Sequence, residues 1–306
     1  MMERILVLLS TYNGESFLRE QLNSLLAQIG VETYILVRDD GSKDDTQKIL
    51  FEYQIMYPEK FTIIRGENIG WKRSFFELLS IAKRNMESYD YYAFCDQDDI
   101  WLPRKLQRAV EKIGELTTDI RLYCSNLYYY KDGCNYGLIR NKDYCPTVEN
   151  CLMRNYATGC TIVFNKVLLK VLTDRMPHIE VMHDFWTYQV AVLLGSVYVD
   201  QGAYILYRQH SNNQIGSKRG WLNLWRRRLK TFKISMRGHE REKQANELKR
   251  CFGDLFAEHS LNAVCKVVDY RSSIISRLNL AFNKKYSMGS RSNDFWLFVR
   301  ILAGKL

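Results

Sequence analysis

Four short polar segments carry the residues best suited to chemistry. Asp96-Gln97-Asp98-Asp99 packs three carboxylates into four residues. Crowded carboxylates repel, and each favours protonation unless a cation is near. A hard divalent ion, Mg2+ or Mn2+, resolves that conflict. Mg2+ is typically held by one or two carboxylates plus substrate phosphates. The segment therefore points to a metal–diphosphate site. The plainer alternative is a solvated turn in which Asp99 caps a following helix. Asp39-Asp40-Gly41-Ser42 is weaker by itself, because Asp, Gly and Ser are turn residues and Ser42 with Asp45 resembles a capping box. Its functional reading is that Asp39 accepts hydrogen bonds from a base edge while Gly41 allows close approach. Ser10-Thr11-Tyr12-Asn13 and Glu67-Asn68-Ile69-Gly70 are the other two segments.

Each segment follows an apolar run. Residues 4–9, Tyr34–Val37, Phe61–Ile64 and Tyr91–Cys95 read as buried strands. Between and after them, residues 17–26, 44–56, 75–86 and 102–113 read as helices, the second with Ser42 or Asp44 available as N-cap. Such alternation predicts an α/β fold with a parallel sheet, flanking helices and right-handed crossovers. Ligands of such sheets bind at the carboxyl ends of the strands, so the four polar segments should meet along one edge. Beyond residue 115 the pattern changes. Strands are expected at 122–130, 159–164, 196–199 and 204–207, with a helix over 185–194, forming a mixed β region that closes the unit near Gly216.

In order and spacing, the four segments, the last continuing as Ile100-Trp101, resemble the successive motifs of family 2 glycosyltransferases with the GT-A fold. The Asp-Gln-Asp-Asp-x-Trp form resembles the bacterial branch rich in rhamnosyltransferases of surface polysaccharide synthesis. The resemblance covers roughly residues 4–216. It implies a Rossmann-like, mostly parallel sheet and an inverting, metal-dependent hexosyltransferase. It implies that Thr11, Tyr12 and Asn13 line the nucleotide pocket and that Asp39, beside Asp40, binds the base. Asn68 with Lys72 or Arg73 would flank the nucleotide or diphosphate. Asp96 and Asp98 would form the DxD pair contacting ribose or metal, with Asp98 the direct ligand and His210 a candidate to complete the shell. The family's base falls in Val181-Met182-His183-Asp184, which assigns Asp184. Helix N-capping is the alternative role for Asp184. His183 either tunes that base or is simply a polar residue at a helix start. Ser10 replaces the proline common before Thr-Tyr-Asn, and the Gln-x-x-Arg-Trp signature of processive polymerases is absent. A single-addition enzyme is implied. The donor implied is a dTDP- or UDP-sugar, dTDP-rhamnose first. The acceptor expected is a glycan or lipid-linked oligosaccharide.

The net charge of +10 is uneven. Residues 217–250 hold 12 Lys and Arg against 3 Asp and Glu, while residues 1–216 are mildly acidic. The tail, 217–306, thus reads as a basic, mostly helical region following a 1–216 catalytic domain. Trp221, Leu224, Trp225, Leu229 and Phe232 share one helical face, with Arg226, Arg227, Arg228, Lys230 and Lys233 around it. Such a helix suits an anionic membrane surface, although packing on protein or a partner chain is the alternative. Phe295 to Leu302 is a second interfacial or packing segment. No nucleic-acid module accompanies the charge, so no nucleic-acid partner is expected; a homodimer is a possible assembly. The run Ile5–Leu9 is too short for a signal-peptide core, and no stretch approaches the roughly 18 apolar residues of a membrane span. Eight cysteines without CxxC or zinc spacing fit reduced, buried thiols. A cytoplasmic protein, peripheral on the cytoplasmic face of the membrane, is expected. Rivals are another nucleotide-handling α/β enzyme, weakened by the lack of GxGxxG after the first strand, and a non-catalytic nucleotide-sugar-binding scaffold.

Overall fold

The computed structural model of the chain describes residues 2–140, 144–209 and 239–306. The first part alternates β1 (Arg4–Thr11), α1 (Leu18–Leu26), β2 (Glu32–Asp39), α2 (Thr46–Met56), β3 (Phe61–Arg65), α3 (Trp71–Arg84) and β4 (Tyr91–Cys95). β1 pairs in parallel with β2 and β4, and β2 pairs in parallel with β3. Side chains alternate across a strand, and here both faces are apolar. Ile5, Val7, Leu9, Ile35 and Val37 join Leu18, Leu22 and Leu25 of α1 in one core layer. Leu6, Leu8 and Leu36 join Phe75, Leu78 and Leu79 of α3 in the other.

The sheet is completed by β5 (Ile100–Trp101), β6 (Arg121–Lys131), β7 (Cys134–Leu138), β8 (Val163–Asn165) and β9 (Ser196–Arg208). The strand order is β3-β2-β1-β4-β8-β6-β9-β5, with β7 paired to β6. β8 runs antiparallel to β4 and β6, while β6 and β9 are parallel. The α/β fold with a parallel first part and a mixed completion is as expected. The helices of this part are α4 (Lys105–Gly114), α5 (Val148–Met153), α6 (Lys166–Asp174) and α7 (His183–Leu194).

Several boundaries differ from the expectations. α3 begins at Trp71, four residues early, because Gly70 at φ 85° turns the chain directly into the helix. α4 begins at Lys105 because Ile100 and Trp101 pair with β9 first. α2 begins at Thr46, and Ser42 does not cap it, because its hydroxyl is engaged by Asp39. Residues 159–161 form a 3-10 turn, leaving only 163–165 as strand. The two strands expected at 196–199 and 204–207 are one. β7, α5 and α6 were not anticipated.

After the undescribed residues 210–238 come α8 (Glu240–Phe252), α9 (Glu258–Val268), α10 (Ile274–Ala281) and α11 (Arg291–Leu302). These helices share the core layer of α3 and α7. Leu248, Phe252, Val264 and Val267 are buried in the same cluster as Trp186 and Tyr188. Gln244 Nε2 donates to Gln189 Oε1 at 2.6 Å, and Ser260 Oγ to the Leu193 carbonyl at 3.2 Å. His210 and the Trp221–Lys233 segment lie outside the described residues. Among those described, no helix is long and apolar enough to cross a membrane. None of the eight cysteines is in a disulfide, and Cys95, Cys124, Cys151, Cys160 and Cys251 are buried.

Candidate active site

The strand ends do converge. Thr11, buried at the end of β1, donates through Oγ1 to Asp39 at 3.1 Å. Asn13, at φ 46°, donates its N–H to Ser42 Oγ and accepts from the Lys43 N–H at 2.8 Å. A side chain at Gly14 would collide with Gln97, whose Oε1 would lie 2.4 Å from a Cβ. Gln97 itself bridges the loops: its Oε1 accepts from Tyr12 N at 2.8 Å, and its Nε2 donates to Tyr12 O at 3.0 Å. Tyr12 as a whole stays 43% exposed.

Asp39 and Asp40 are both buried and fully engaged. Asp39 Oδ1 accepts from Thr11 and the Ser42 hydroxyl; Oδ2 accepts from Ser42 N and Gln47 Nε2. Among these partners Gln47 alone is half-buried, so a ligand base reaching Asp39 would displace Gln47. Asp40 accepts from the Ile69 and Gly70 amides, each at 2.9 Å, and from the buried Arg38 guanidinium. Arg38 also binds Glu77 and the Glu67 carbonyl. Asp40 and Arg38 thus fix the Asn68 loop in place. Asn68 is exposed at its tip. Lys72 and Arg73 line a cleft of about 410 Å³ between α3 and residues 176–181, where Lys72 Nζ lies 3.5 Å from Glu180.

The acidic segment behaves differently. Asp96 is half-buried, and its carboxyl is pushed up to about 7 by burial, then by the charges of Asp98 and Asp184. Asp99 is 1% exposed and driven well above the carboxylate range by burial, Asp98 and Asp96. Its Oδ1 accepts from Arg208 N at 3.1 Å, but its buried Oδ2 has no hydrogen-bond partner. Arg208 Nε donates to the Asp98 carbonyl at 2.9 Å, tying the end of β9 to this loop. Beneath lies Lys105, fully buried, its ammonium 3.2 Å from the centre of the Trp101 ring and pulled down to about 7 by burial.

Asp184 stands in the first turn of α7, where the helix dipole favours negative charge. Burial raises its carboxyl to about 6, against hydrogen bonds from Phe185 N (2.6 Å) and Asn155 Nδ2 (2.9 Å). His183 stacks on Phe75 with ring centres 3.8 Å apart and meets Phe94 edge-on. Neither ring nitrogen has a partner, and burial holds it neutral, down to about 3. It is a packing side chain, the plainer of its two expected roles. Gly159 lets this turn approach, since a Cβ there would sit 3.0 Å from His183 Nε2.

Ligands for a divalent ion were expected at Asp98, Asp96 and His210. The group that the structure draws together among the described residues is Asp96, Asp99 and Cys160, with ligand atoms within 4.8 Å of one another. Asp98 is adjacent but outside that group. Burial keeps Cys160 a protonated thiol, a poor partner for a hard ion. The crowded carboxylates and the orphaned Asp99 Oδ2 do suit Mg2+ or Mn2+. Gln97, Arg38, Asn155, Gly159 and Arg208 had no assigned role in the sequence reading. Gln97 lies between two candidate ligands, and Arg208 lies two residues before His210, so both stand in segments that the motifs mark.

Comparison with known proteins places this geometry. The profile described as Glycosyl transferase family 2 matches residues 6–216. A dTDP-rhamnosyl transferase of Shigella flexneri, RfbG, is 32% identical over 218 residues, 68% of this chain and 74% of that protein. The crystal structure of S. aureus TarS (residues 1–349) in complex with UDP-GlcNAc superposes with TM-score 0.57 at 18% identity, covering 98% of this chain and 81% of that one. The mannosyltransferase PcManGT from Pyrobaculum calidifontis, in complex with GDP-Man and Mn2+, gives 0.51 at 15% identity over 100% and 87%. The converging strand ends, the acidic loop and the matched profile agree, and the chain belongs to glycosyl transferase family 2, as a glycosyltransferase of the GT-A fold.

Proposed function

We propose that this enzyme transfers rhamnose from dTDP-rhamnose to a hydroxyl of a glycan or lipid-linked oligosaccharide, with inversion, in cell-surface polysaccharide synthesis. The observation that supports this most is the packing of the Gly159 turn, where a Cβ would lie 3.6 Å from Asp184 Cβ, beside the acidic group that includes Cys160. A carboxylate suited to act as base thus stands beside the residue that precedes Cys160, and Cys160 lies among the carboxylates suited to a diphosphate site. The rhamnosyl donor is favoured by the 32% identity with RfbG over two thirds of the chain.

In this reading Asp184 is oriented by Asn155 and the Phe185 amide. Ionised, it accepts the proton of the acceptor hydroxyl as that oxygen attacks the anomeric carbon. The bond from that carbon to the diphosphate oxygen breaks, and the nucleoside diphosphate leaves with the electron pair. Tyr12 packs near the base, and Asp40 holds the Asn68 loop beside the nucleotide. Asp96 and Asp98, with Asp99 behind them, would hold Mg2+ or Mn2+. The chemistry such an ion supplies when bound is neutralisation of charge on the departing diphosphate. The basic segment 217–250 would bring the enzyme to the cytoplasmic face of an anionic membrane, where a lipid-linked acceptor resides.

The test is a donor panel. Purified chain is incubated with an acceptor-lipid extract and labelled dTDP-rhamnose, UDP-glucose, UDP-galactose or UDP-N-acetylglucosamine. Transfer from dTDP-rhamnose, with product configuration opposite to the donor's, is expected. Transfer from a UDP-sugar alone would move the donor assignment to the UDP-hexose class. Nucleotide binding without any transfer would leave a sugar-nucleotide-binding scaffold.

A further inference from the structure

We infer that α10 and α11 present a second membrane-docking face, distinct in sequence from segment 217–250, that seats on an anionic phospholipid bilayer. α10 buries one of its eight residues, Leu280. Its other apolar side chains point outward: Ile274 is 74% exposed, Ile275 70% and Leu278 40%, and Phe282, just beyond the helix, 69%. These positions recur at three- and four-residue spacing, so they form one stripe. The Phe282 ring meets Phe298 of α11 edge-on, with centres 5.3 Å apart. Through that contact the stripe continues to Phe295, 59% exposed. Contiguous exposed apolar surface of this kind marks an interaction site.

The face belongs to well-formed helices. Ser273 and Ser290 cap α10 and α11 by accepting from the Ser276 and Asn293 amides. Below, Leu280, Leu297 and Ile301 enter the enzyme's core, and Tyr286 donates to the Ala263 carbonyl at 3.0 Å. The apolar stripe is thus held rigidly outward.

Charge selects the occupant. Residues 271–306 contain seven Lys and Arg against a single acid, Asp294. Asp294 is turned inward, accepting from Ser287 Oγ and Met288 N. Lys284 and Arg291 are exposed beside the stripe and have no ion-pair partner among the described residues. Another exposed apolar strip, Phe51, Ile55 and Met56 on α2, instead lies among charges of both signs, Asp45, Lys48, Glu52, Glu59 and Lys60. An apolar stripe with a basic rim matches an anionic bilayer, which takes apolar side chains at its headgroup boundary and attracts Lys and Arg.

The experiment is co-sedimentation of the full chain with vesicles of phosphatidylcholine alone or with one third phosphatidylglycerol. Wild type should bind the anionic vesicles. Ile275→Ser/Phe282→Ser should weaken that binding at least tenfold, and Lys284→Glu/Arg291→Glu at least threefold. Melting temperature and nucleotide binding of both variants should match wild type, which separates this face from the transferase reading. All four side chains are exposed, and the charge pair provides a second test should the apolar pair impair folding. Wild-type affinity in both variants would overturn the proposal, as would failure of the native chain to bind anionic vesicles. So would a dimer that the apolar pair converts to monomer without vesicle binding, since a second copy would then cover the face.

Discussion

The two acidic segments that lead the site, Asp39-Asp40 and the one that holds Asp96 and Asp99, look alike on paper and differ in the fold. Asp39 and Asp40 are buried but saturated: four donors meet the first, and two amides and a guanidinium meet the second. In the acidic cluster Asp99 is buried and short of a donor, beside the half-buried Asp96. Asp99 leaves Oδ2 unmatched, and Asp96 is raised to about 7; Asp184, although it accepts from Phe185 N and Asn155 Nδ2, is still raised to about 6 by burial. A buried carboxylate with a full set of donors builds structure. One left short of them is held at a cost in stability, which is where chemistry is expected.

The contrast is most sharply broken at Asp184. Asp184→Asn should reduce transfer by about a thousandfold, within the range ascribed to general bases, while nucleotide affinity stays within about twofold. Unchanged turnover of the variant would remove Asp184 from the mechanism. On the saturated side, Asp40→Ala should behave as a stability mutant. It strands Arg38, itself 3% exposed, with Glu77 as its remaining carboxylate. A loss of about 3 kcal/mol in urea unfolding is expected; a stable but inactive variant would show Asp40 to be a ligand instead.

The next test uses pH. Folded Asp184 titrates at about 6, above its ordinary 3.8, so between those values the folded state holds more proton than the unfolded one. Stability therefore falls as pH rises through that window. The loss is complete above about 6 and amounts to at most ~3 kcal/mol. Asp184→Asn lacks this term, so its melting temperature should gain on wild type from pH 4 to pH 7. A constant gap would mean the carboxyl is not strained. The smallest effect belongs to Gln97→Ala, which frees the Tyr12 backbone on an exposed loop. About 1 kcal/mol is expected, read as a several-fold rise in donor KM with kcat unchanged.

Much of this was legible in the chain. The parallel strands announce themselves as apolar runs because both of their faces are covered, and their ends are marked by the polar segments. Asp96, Asp39 and Asp184 could be singled out because family motifs surround them. The roles of Arg38, Asn155 and Arg208 could not be read, since each arises only when segments far apart in sequence meet: Arg38 reaches Glu77, Asn155 reaches Asp184, and Arg208 reaches Asp98. α6 has inward leucines at helical spacing but follows β8 without a break. Asn165 ends the strand and caps the helix at once, accepting from Leu168 N, so no turn residue separates them. Asp99 was legible as one of three crowded carboxylates, but its burial was not, because that depends on β9 returning to pair beside it.

If the acidic cluster is a metal-dependent nucleotide diphosphate site, nucleotide binding must require the ion. Calorimetric titration of the full chain with dTDP, UDP and GDP, with and without Mn2+, tests it most directly. The account predicts tight binding of one nucleotide, dTDP first, that requires the ion and is lost in Asp98→Ala. Equal binding without the ion, or no binding of any of the three, would contradict it.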